Sequence, residues 1–331
     1  MSVSDINKSN NLKIGFIANG VKKFSKSDIF HDSSFALMLA AQKLDTRILL
    51  AESNTLKIIN NKVFATFDEV NVKQEENNHI LVKCTTEFPL DDLDIIFARK
   101  DPPVNEDFIS YVLMLTLVAG ENALKRKPLI INSPFGLLKA NEKMYALNFP
   151  SLIPPTILTS RKSEIIDFLN EHVEVVAKPL FDKGGEGVFY IDKGSKTSHT
   201  IIEVVTKHES CTVIVQKYIP EIIHGDKRII LLNGNPIGSV LRIPRAGEFR
   251  ANMNKGASVK ACTLSKRDLE ICEAVKPLLQ KEGLYFTGID VIGNFLTEIN
   301  VTSPTGLQEI ERLSGTHPAD EIISWAVNFV K

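Results

Sequence analysis

Cysteine is sparse in this sequence. Cys84, Cys211, Cys262 and Cys272 are the only four in 331 residues, and they form neither a CxxC pair nor a zinc-ligand spacing. A disulfide framework is excluded, and the four read as ordinary thiols of a reducing compartment. Charge of one sign is lacking too: 39 Lys and Arg stand against 40 Asp and Glu, a formal net charge of -1. With no basic excess there is no electrostatic footprint for nucleic acid, and with no basic tail none for an anionic membrane. Long apolar runs are missing. The longest, residues 111–120, is about half of the ~20 residues that spanning requires. Residues 1–11 are polar and read as neither a signal nor a transit peptide. The seven histidines show no HExxH spacing, and no Ser/His/Asp or Cys/His pattern is visible. Zinc hydrolysis and side-chain nucleophilic catalysis are therefore not expected. Repeats and low-complexity tracts are also absent. A soluble, cytoplasmic protein is the expectation.

What is present is enough material for a core. Hydrophobic residues make up 44% of the chain. The length fits two or three small domains, or one large α/β unit with a lid. Residues 12–18 (LKIGFIA), 47–52, 94–99 and 128–132 read as strands. Residues 33–44, with Asp32 or Ser33 as N-cap, and 111–124 read as helices between them. Strands alternating with helices predict a parallel sheet. Residues 60–78 are polar and weakly patterned and read as a hairpin or surface excursion.

The pattern changes after about residue 140. Residues 141–147 read as helical, and Pro154-Pro155 breaks the chain. Strands are predicted at 174–179 and 211–219, with a helix at 201–207 between them. Residues 227–232 and 237–243 flank a turn at Asn233-Gly234-Asn235-Pro236. A helix over 267–282 is stopped by Gly283. A last hairpin, 286–292 and 295–301, turns at Gly293-Asn294, and two further helices close the chain.

That hairpin carries the strongest chemical signal. Asp290, Glu298 and Asn300 offer three oxygen donors, two of them anionic, which suit a hard cation such as Mg²⁺. Glu298 and Asn300 are two residues apart and share a face. A two-residue turn would pair Asp290 with Thr297 and send Asp290 to the other face. A longer connection or a bulge would pair it with Glu298, and the longer connection is the expectation. Asp290 alone fits a solvated strand face equally well.

A second signal is the run 178–187, in which Lys178 ends a strand and Gly184, Gly185 and Gly187 follow. Glycines let backbone N–H groups approach phosphate oxygens, and lysine adds a point charge. The run is neither a Walker loop nor GxGxxG, and by itself it fits a plain turn. A third is the set Arg228, Arg242, Arg245 and Arg250, the last three within or beside a Gly- and Pro-bearing stretch at about 244–258 that reads as a lid. Any one arginine fits surface charge, but guanidinium groups suit carboxylates and phosphoryl groups. Lys143, in Asn141-Glu142-Lys143, is unremarkable in isolation.

Taken together the segments resemble the ATP-grasp superfamily, and within it the prokaryotic-type glutathione synthetase family. The resemblance runs from about Lys13 to Trp325. It rests on Asp32-Ser-Ser-Phe-Ala36, Arg99-Lys-Asp-Pro-Pro103, Asn141-Glu-Lys143, Gly225-Asp-Lys-Arg228, Arg242-Ile-Pro244 and Leu296-Thr-Glu-Ile-Asn-Val-Thr-Ser-Pro-Thr305. The second and last of these set the family apart from D-alanine ligases and glutamate-adding relatives. The glycine loop, the lid sequence Arg245-Ala-Gly-Glu-Phe-Arg250, the N-terminal tail and residues 60–78 depart from the family pattern.

The resemblance implies an α/β protein, α+β in its C-terminal half, with an ATP-grasp fold behind an N-terminal parallel-sheet domain. It implies a substrate domain at 1–138, a central lid domain at 139–216 and a metal-bearing domain at 217–331. ATP contacts would come from Lys143, Lys178, Gly184, Gly185, Gln216, Lys217, Tyr218, Ile219, Asp226 and Asn300. Asp290, Glu298 and Asn300 would hold two Mg²⁺, replaceable by Mn²⁺. Arg228 and Arg242 would act in catalysis, and Arg99, Ser303, Pro304 and Thr305 on the substrate. The implied reaction joins γ-glutamylcysteine to glycine through an acyl-phosphate, in a homotetramer or dimer. Another ATP-grasp ligase with a different acceptor, or a non-catalytic ATP-binding protein of the same fold, are the competing readings.

Overall fold

A computed structural model describes residues 12–20, 28–120, 128–182 and 184–331, with Asn254 described by its backbone alone. The expectations for residues 1–11, for Lys183 and for the stretch 121–124 of the second helix lie outside the described residues.

The first sheet is built from β1 (Lys13–Ala18), β2 (Arg47–Glu52), β3 (Lys57–Ile59), β4 (Lys62–Val72), β5 (Ile80–Pro89), β6 (Ile95–Arg99) and β7 (Leu129–Ile131). Its order is β3-β4-β2-β1-β6-β7, with β5 on β4. The four strands β2, β1, β6 and β7 are parallel, as alternation with helices predicts. Of the two readings of residues 60–78, the hairpin holds and the surface excursion does not: β3, β4 and β5 pair antiparallel in succession. Asn60-Asn61 is a turn, but β4 beyond it pairs antiparallel with β2 and buries Val63, Ala65 and Phe67 at alternate positions. The segment extends the main sheet rather than leaving it. Polar residues between those positions mask the period.

Both faces of this sheet are covered. Phe16 and Phe97 stack at 5.0 Å on one face, under α1 (Ser33–Lys43). On the other face α2 (Glu106–Ala119) packs Tyr111, Val112 and Leu115 against Ile17, Phe67 and Ile96. This helix begins earlier than its apolar run suggested. The Asn105 side chain accepts the Phe108 N–H at 3.0 Å and caps it, and Glu106 and Asp107 follow in the first turn, where acidic groups suit the helix dipole.

Two antiparallel sheets follow. The second holds β8 (Thr156–Thr159), β9 (Glu174–Pro179), β10 (Phe189–Asp192) and β11 (Val213–Lys217), in the order β10-β9-β11-β8. The third holds β12 (Asp226–Leu232), β13 (Asn235–Ile243), β14 (Ser258–Ala261), β15 (Phe286–Ile292) and β16 (Phe295–Asn300), in the order β14-β13-β12-β15-β16. The third sheet shares its apolar clusters with the first, through Ile229, Ile289 and Ile299 on one side and Ile230, Val240 and Phe286 on the other. The second sheet packs a cluster of its own, around Ile165, Val175, Ile202 and Val215. It is thus bound to the rest by fewer apolar contacts, the condition under which one body can shift against another.

The chain end returns to the beginning. The helix Pro318–Val330 lays Ile322, Ile323 and Ala326 into the same cluster as Phe16 and Phe35. Asn132, just past β7, staples the first sheet to the third. Its side-chain amide donates to the carbonyls of Phe286 and Val301, both at 2.7 Å, and accepts the Phe286 N–H at 2.7 Å. Asn132→Ala leaves these buried backbone groups unpaired. The expected loss is about 3 kcal/mol, read as a lower urea midpoint at unchanged m. A loss below about 1 kcal/mol contradicts the stapling role.

Candidate active site

The third sheet aligns its charged residues by register. Arg228 on β12 lies opposite Asp290 on β15, Asp290 lies opposite Glu298 on β16, and Asp226 lies opposite Arg242 on β13. Opposed residues of antiparallel strands point to one face, so two rungs of mixed charge form there, Arg228–Asp290–Glu298 and Asp226–Arg242. The device that produces it differs from the one expected. Ile292 pairs with Phe295, so the turn at Gly293-Asn294 has only two residues, and the register shifts between Asp290 and Val291. Thr297 is the extra residue of the bulge, and its hydroxyl donates to the Asp290 carbonyl at 3.1 Å. The pairing of Asp290 with Glu298 is as predicted; a bulge, not a longer turn, supplies it.

Asp290 is gripped from two sides. Arg228 Nε donates to Oδ1 at 2.5 Å and Nη2 to Oδ2 at 2.9 Å, while Arg242 Nη2 lies 3.0 Å from Oδ2. Burial alone would raise the Asp290 carboxyl, but the two guanidinium groups outweigh it and hold the group below the usual carboxylate range. Arg242 Nη2 also donates to both oxygens of Asp226, at 2.7 and 2.6 Å, while its buried Nε has no hydrogen-bond partner. Asp226 goes the other way. Burial pushes its carboxyl up to about 6 against the pull of Arg242, with Asp290 adding to the rise.

A pH dependence follows. An unfolded Asp226 releases its proton near 3.8, the folded one near 6. Between these values the folded state binds more protons, so this group's share of stability is complete below 3.8 and is lost as pH rises through 6. Glu142 and Asp32, both raised chiefly by burial, carry the same sign. Asp226→Asn is therefore expected to reduce, not abolish, the fall in urea-unfolding free energy between pH 4 and 6. An unchanged slope removes Asp226 as its source.

Gly288 leaves room for Arg228. A Cβ there would meet Arg228 Cδ at 3.1 Å and Pro304 Cβ at 3.3 Å. Gly288→Ala is expected to shift the guanidinium by a few tenths of an ångström and to slow turnover about tenfold, at a stability cost near 1 kcal/mol. Wild-type kcat in this variant contradicts a need for that placement.

Lys178 enters from the second sheet and Lys143 from the turn that precedes it. Lys178 Nζ donates to Gln216 Oε1 at 2.9 Å and lies 3.9 Å from Glu298 Oε1. Burial lowers its pKa, against the opposing pull of Glu298. Lys143 Nζ donates to the Asp182 carbonyl at 2.6 Å. The Asn141-Glu142-Lys143 turn, expected as a helix over 141–147, is a turn followed by a 3₁₀ segment, Tyr145–Asn148. Asn141 accepts the N–H groups of Lys143 and Met144 and donates to the Leu180 carbonyl. Glu142 was not singled out from the sequence. Its Oε1 accepts the N–H groups of Val301 and Thr302, both at 3.1 Å, and the Thr302 hydroxyl at 2.7 Å. These partners lie far along the chain, and no local spacing signals them.

Lys143, Lys178, Gly184, Gly185, Gln216, Lys217, Tyr218, Ile219, Asp226, Arg228, Arg242, Asp290, Glu298, Asn300, Ser303, Pro304 and Thr305 all line one cleft of ≈ 670 Å³. The lid reaches its rim. Arg250 Nη1 donates to the Gly185 carbonyl at 3.0 Å, and a Cβ on Gly185 would strike Asn252 Oδ1 at 2.5 Å. The opposite wall comes from the carboxyl ends of β1 and β6, through Asn19, Gly20, Asp101 and Pro102, where open parallel sheets place ligands. Arg99 is the exception. Its buried side chain stands behind this wall, donating from Nε to the Ser34 hydroxyl at 3.0 Å and from Nη2 to the Pro304 carbonyl at 2.9 Å. Asp32-Ser33-Ser34 acquires a physical role here too. Asp32 caps the Phe35 N–H, Ser33 accepts the Leu307 N–H, and Ser34 accepts from Arg99.

The same face also offers oxygen donors to a metal ion. Among the described residues no group of three or more His, Cys, Asp or Glu is placed to hold one. Asp290, Glu298 and the Asn300 amide, whose nitrogen donates to Asp290 Oδ2 at 3.3 Å, instead form an incomplete oxygen set. That suits Mg²⁺, which keeps waters and substrate phosphates as ligands rather than entering an all-protein cage.

Comparison with known proteins agrees with this geometry. Residues 12–137 match the prokaryotic glutathione synthetase N-terminal domain, and residues 142–315 match the prokaryotic glutathione synthetase ATP-grasp domain. The chain is 41% identical over 323 residues to the glutathione synthetase of Synechocystis sp., covering 95% of this chain and 98% of that one. It is 40% identical over 320 residues to that of Gloeobacter violaceus, covering 97% and 98%. In fold it is similar to the D-cycloserine synthetase DcsG, with a TM-score of 0.68 at 12% identity over 96% of this chain and 100% of that one. It is also similar to D-alanyl-alanine synthetase A of Vibrio cholerae, with a TM-score of 0.58 at 12% identity over 97% and 99%. Among the described residues no helix is long and apolar enough to cross a membrane. With a cleft of paired carboxylates, arginines and lysines between two antiparallel sheets, and both domains matched along its length, the chain belongs to the prokaryotic glutathione synthetase family of ATP-dependent, ATP-grasp ligases.

Proposed function

We propose that this protein joins the cysteinyl carboxylate of γ-glutamylcysteine to the amine of glycine, with ATP as phosphoryl donor. The observation that carries the reading is the convergence of Asp290, Glu298 and Asn300 with Lys178, Arg228 and Arg242 in one cleft. Carboxylates to hold a cation and bases to hold phosphates must interleave wherever a metal–polyphosphate is bound.

A carboxylate is a poor acyl donor, so it must first be activated. Its oxygen attacks the γ-phosphorus, the bond to the β-phosphate bridging oxygen breaks, and ADP leaves. The glycine nitrogen then attacks the acyl carbon, inorganic phosphate departs, and the nitrogen loses a proton. Asp290, Glu298 and Asn300 would hold Mg²⁺, two ions in this reading, which would supply charge neutralisation for the approaching anions. Lys143 and Lys178 meet the phosphates, and Gly184 and Gly185 cover them. Gln216, Lys217, Tyr218 and Ile219 receive the adenine. Arg228 is fixed by Asp290. Arg242, with an unpaired Nε in the buried site, stabilises the oxyanion of the tetrahedral intermediate. Ser303, Pro304 and Thr305 line the substrate end. Arg99 acts there by holding the Pro304 carbonyl rather than by touching substrate. Closure of 244–258 excludes water from the acyl-phosphate.

Incubation with ATP, Mg²⁺, γ-glutamylcysteine and glycine is the test. Equal amounts of phosphate and glutathione are expected; phosphate release that requires another acceptor overturns the substrate assignment. The division at 1–138, 139–216 and 217–331 is supported by the three sheets, which follow those segments closely. A homo-oligomer is supported by the exposed stripe Ile109, Leu113 and Leu117 along one face of α2, 43%, 50% and 56% exposed. Sedimentation as a monomer at micromolar concentration refutes it. A reducing cytoplasm is supported by four unpaired cysteines, and recovery from an oxidising compartment would count against it.

A further inference from the structure

Three aromatic rings bridge the second sheet, the nucleotide end of the cleft and the lid. Tyr190 is on β10, Tyr218 follows β11, and Phe249 is in the 244–258 segment. Tyr190 meets Tyr218 edge to face, with centroids 5.0 Å apart at 76°, and meets Phe249 at 6.1 Å and 49°. Tyr218 and Phe249 line the cleft, and Tyr190 does not. The Tyr190 hydroxyl donates to the Glu174 carboxylate, and the Glu174 carbonyl accepts the Tyr218 N–H at 3.0 Å. Tyr190 is therefore tied to the strand that also fixes Tyr218, while its ring reaches the lid. Beside Phe249, Arg250 is held by Glu248 and donates to the Gly185 carbonyl of the glycine loop.

We infer that Tyr190 is a positioning residue that couples nucleotide binding at Tyr218 to closure of the 244–258 lid through Phe249. A flat base against the 216–219 segment restrains the Tyr218 ring. The Tyr190 ring packed on it is restrained in turn and presents a settled surface to Phe249. The lid then closes preferentially over bound nucleotide. That order is chemically useful, because a lid shut beforehand blocks entry, and one left open admits water to the acyl-phosphate. The second sheet has its own apolar cluster, so these rings are among its links to the lid. The turnover part of the test rests on the proposed reaction; the lid part needs only nucleotide.

Amide hydrogen exchange over residues 244–258 reads lid closure directly. In the wild type, a non-hydrolysable ATP analogue with Mg²⁺ is expected to slow exchange there. Tyr190→Leu is expected to lose about fivefold of that protection while calorimetry still shows the analogue bound. Tyr190→Phe keeps the ring and is expected to keep the protection. Phe249→Ala is expected to match Tyr190→Leu, and combining the two is expected to add little. In turnover, Tyr190→Leu is expected to release phosphate in excess of amide bonds formed. Wild-type protection in Tyr190→Leu, or equal loss in Tyr190→Phe, overturns the coupling. Should Tyr190→Leu not fold, Phe249→Ala carries the same comparison, and wild-type protection in it overturns the proposal. If the wild type fails to join γ-glutamylcysteine to glycine while lid protection still follows the rings, the substrate assignment falls and the coupling stands.

Discussion

Arg242→Ala is expected to lower kcat by about 10²- to 10³-fold and stability by about 3 kcal/mol. The two losses share one cause. Arg242 Nη2 holds both oxygens of Asp226 and one of Asp290, and all three side chains are buried. Without it Asp226 has no guanidinium opposite, and Asp290 keeps only Arg228. Removing one partner from a buried ionic group leaves an uncompensated charge, which costs far more than the net worth of the pair. Asp226 has a partial escape, since its carboxyl already sits near 6 and takes up a proton more readily once the cation is gone. The stability deficit should therefore shrink toward pH 5. Arg242→Lys restores one charge but cannot reach Asp226, Asp290 and a reacting oxygen together, so it should recover stability more than turnover. Urea unfolding and single-turnover kinetics separate the two. Unchanged kcat in Arg242→Ala removes this residue from the chemical step.

Glu298→Gln is expected to act almost wholly on turnover, lowering kcat by about 10²-fold or more while stability changes by under about 1 kcal/mol. Glu298 is only partly buried, and Lys178, 3.9 Å away, already donates to Gln216. Little of the fold depends on its charge. Its place in the rung beside Asp290, two residues from Asn300, is what a hard cation needs, and an amide oxygen is a far weaker ligand than a carboxylate. The Mg²⁺ concentration for half-maximal rate should rise, and excess Mg²⁺ should recover part of the loss. Activity within a few-fold of wild type at low Mg²⁺ contradicts the metal assignment.

Much of the fold was legible because its signals are local. Caps, turns and side-chain periods lie within a few residues of the elements they set. β2 and β9 have the bounds read from their apolar runs, and Asn233-Gly234 makes the two-residue hairpin turn between β12 and β13. Where polar residues interrupt the period, as in β4, a hairpin and a surface excursion read alike, and only pairing with β2 and β5 decides for the hairpin. The candidate site was legible mainly through motifs. Lys178, Asp290, Glu298 and Asn300 stand in one cleft as expected, whereas no motif signals the bonds of Glu142 to Val301 and Thr302 or of Arg99 to the Pro304 carbonyl.

The sequence by itself determined the reagents: carboxylates, an amide, lysines, arginines and glycines of the right kinds, together with the strands and turns that carry them. Tertiary structure decided how they meet. The bulge at Thr297 brings Asp290 to the face of Glu298, Asn132 and Glu142 fasten segments more than a hundred residues apart, and the last helix closes the first sheet. Periodicity and capping act over a turn or a strand and so can be read in a short window. A buried hydrogen bond between distant segments exists only once the chain has brought them together, and no local pattern announces it.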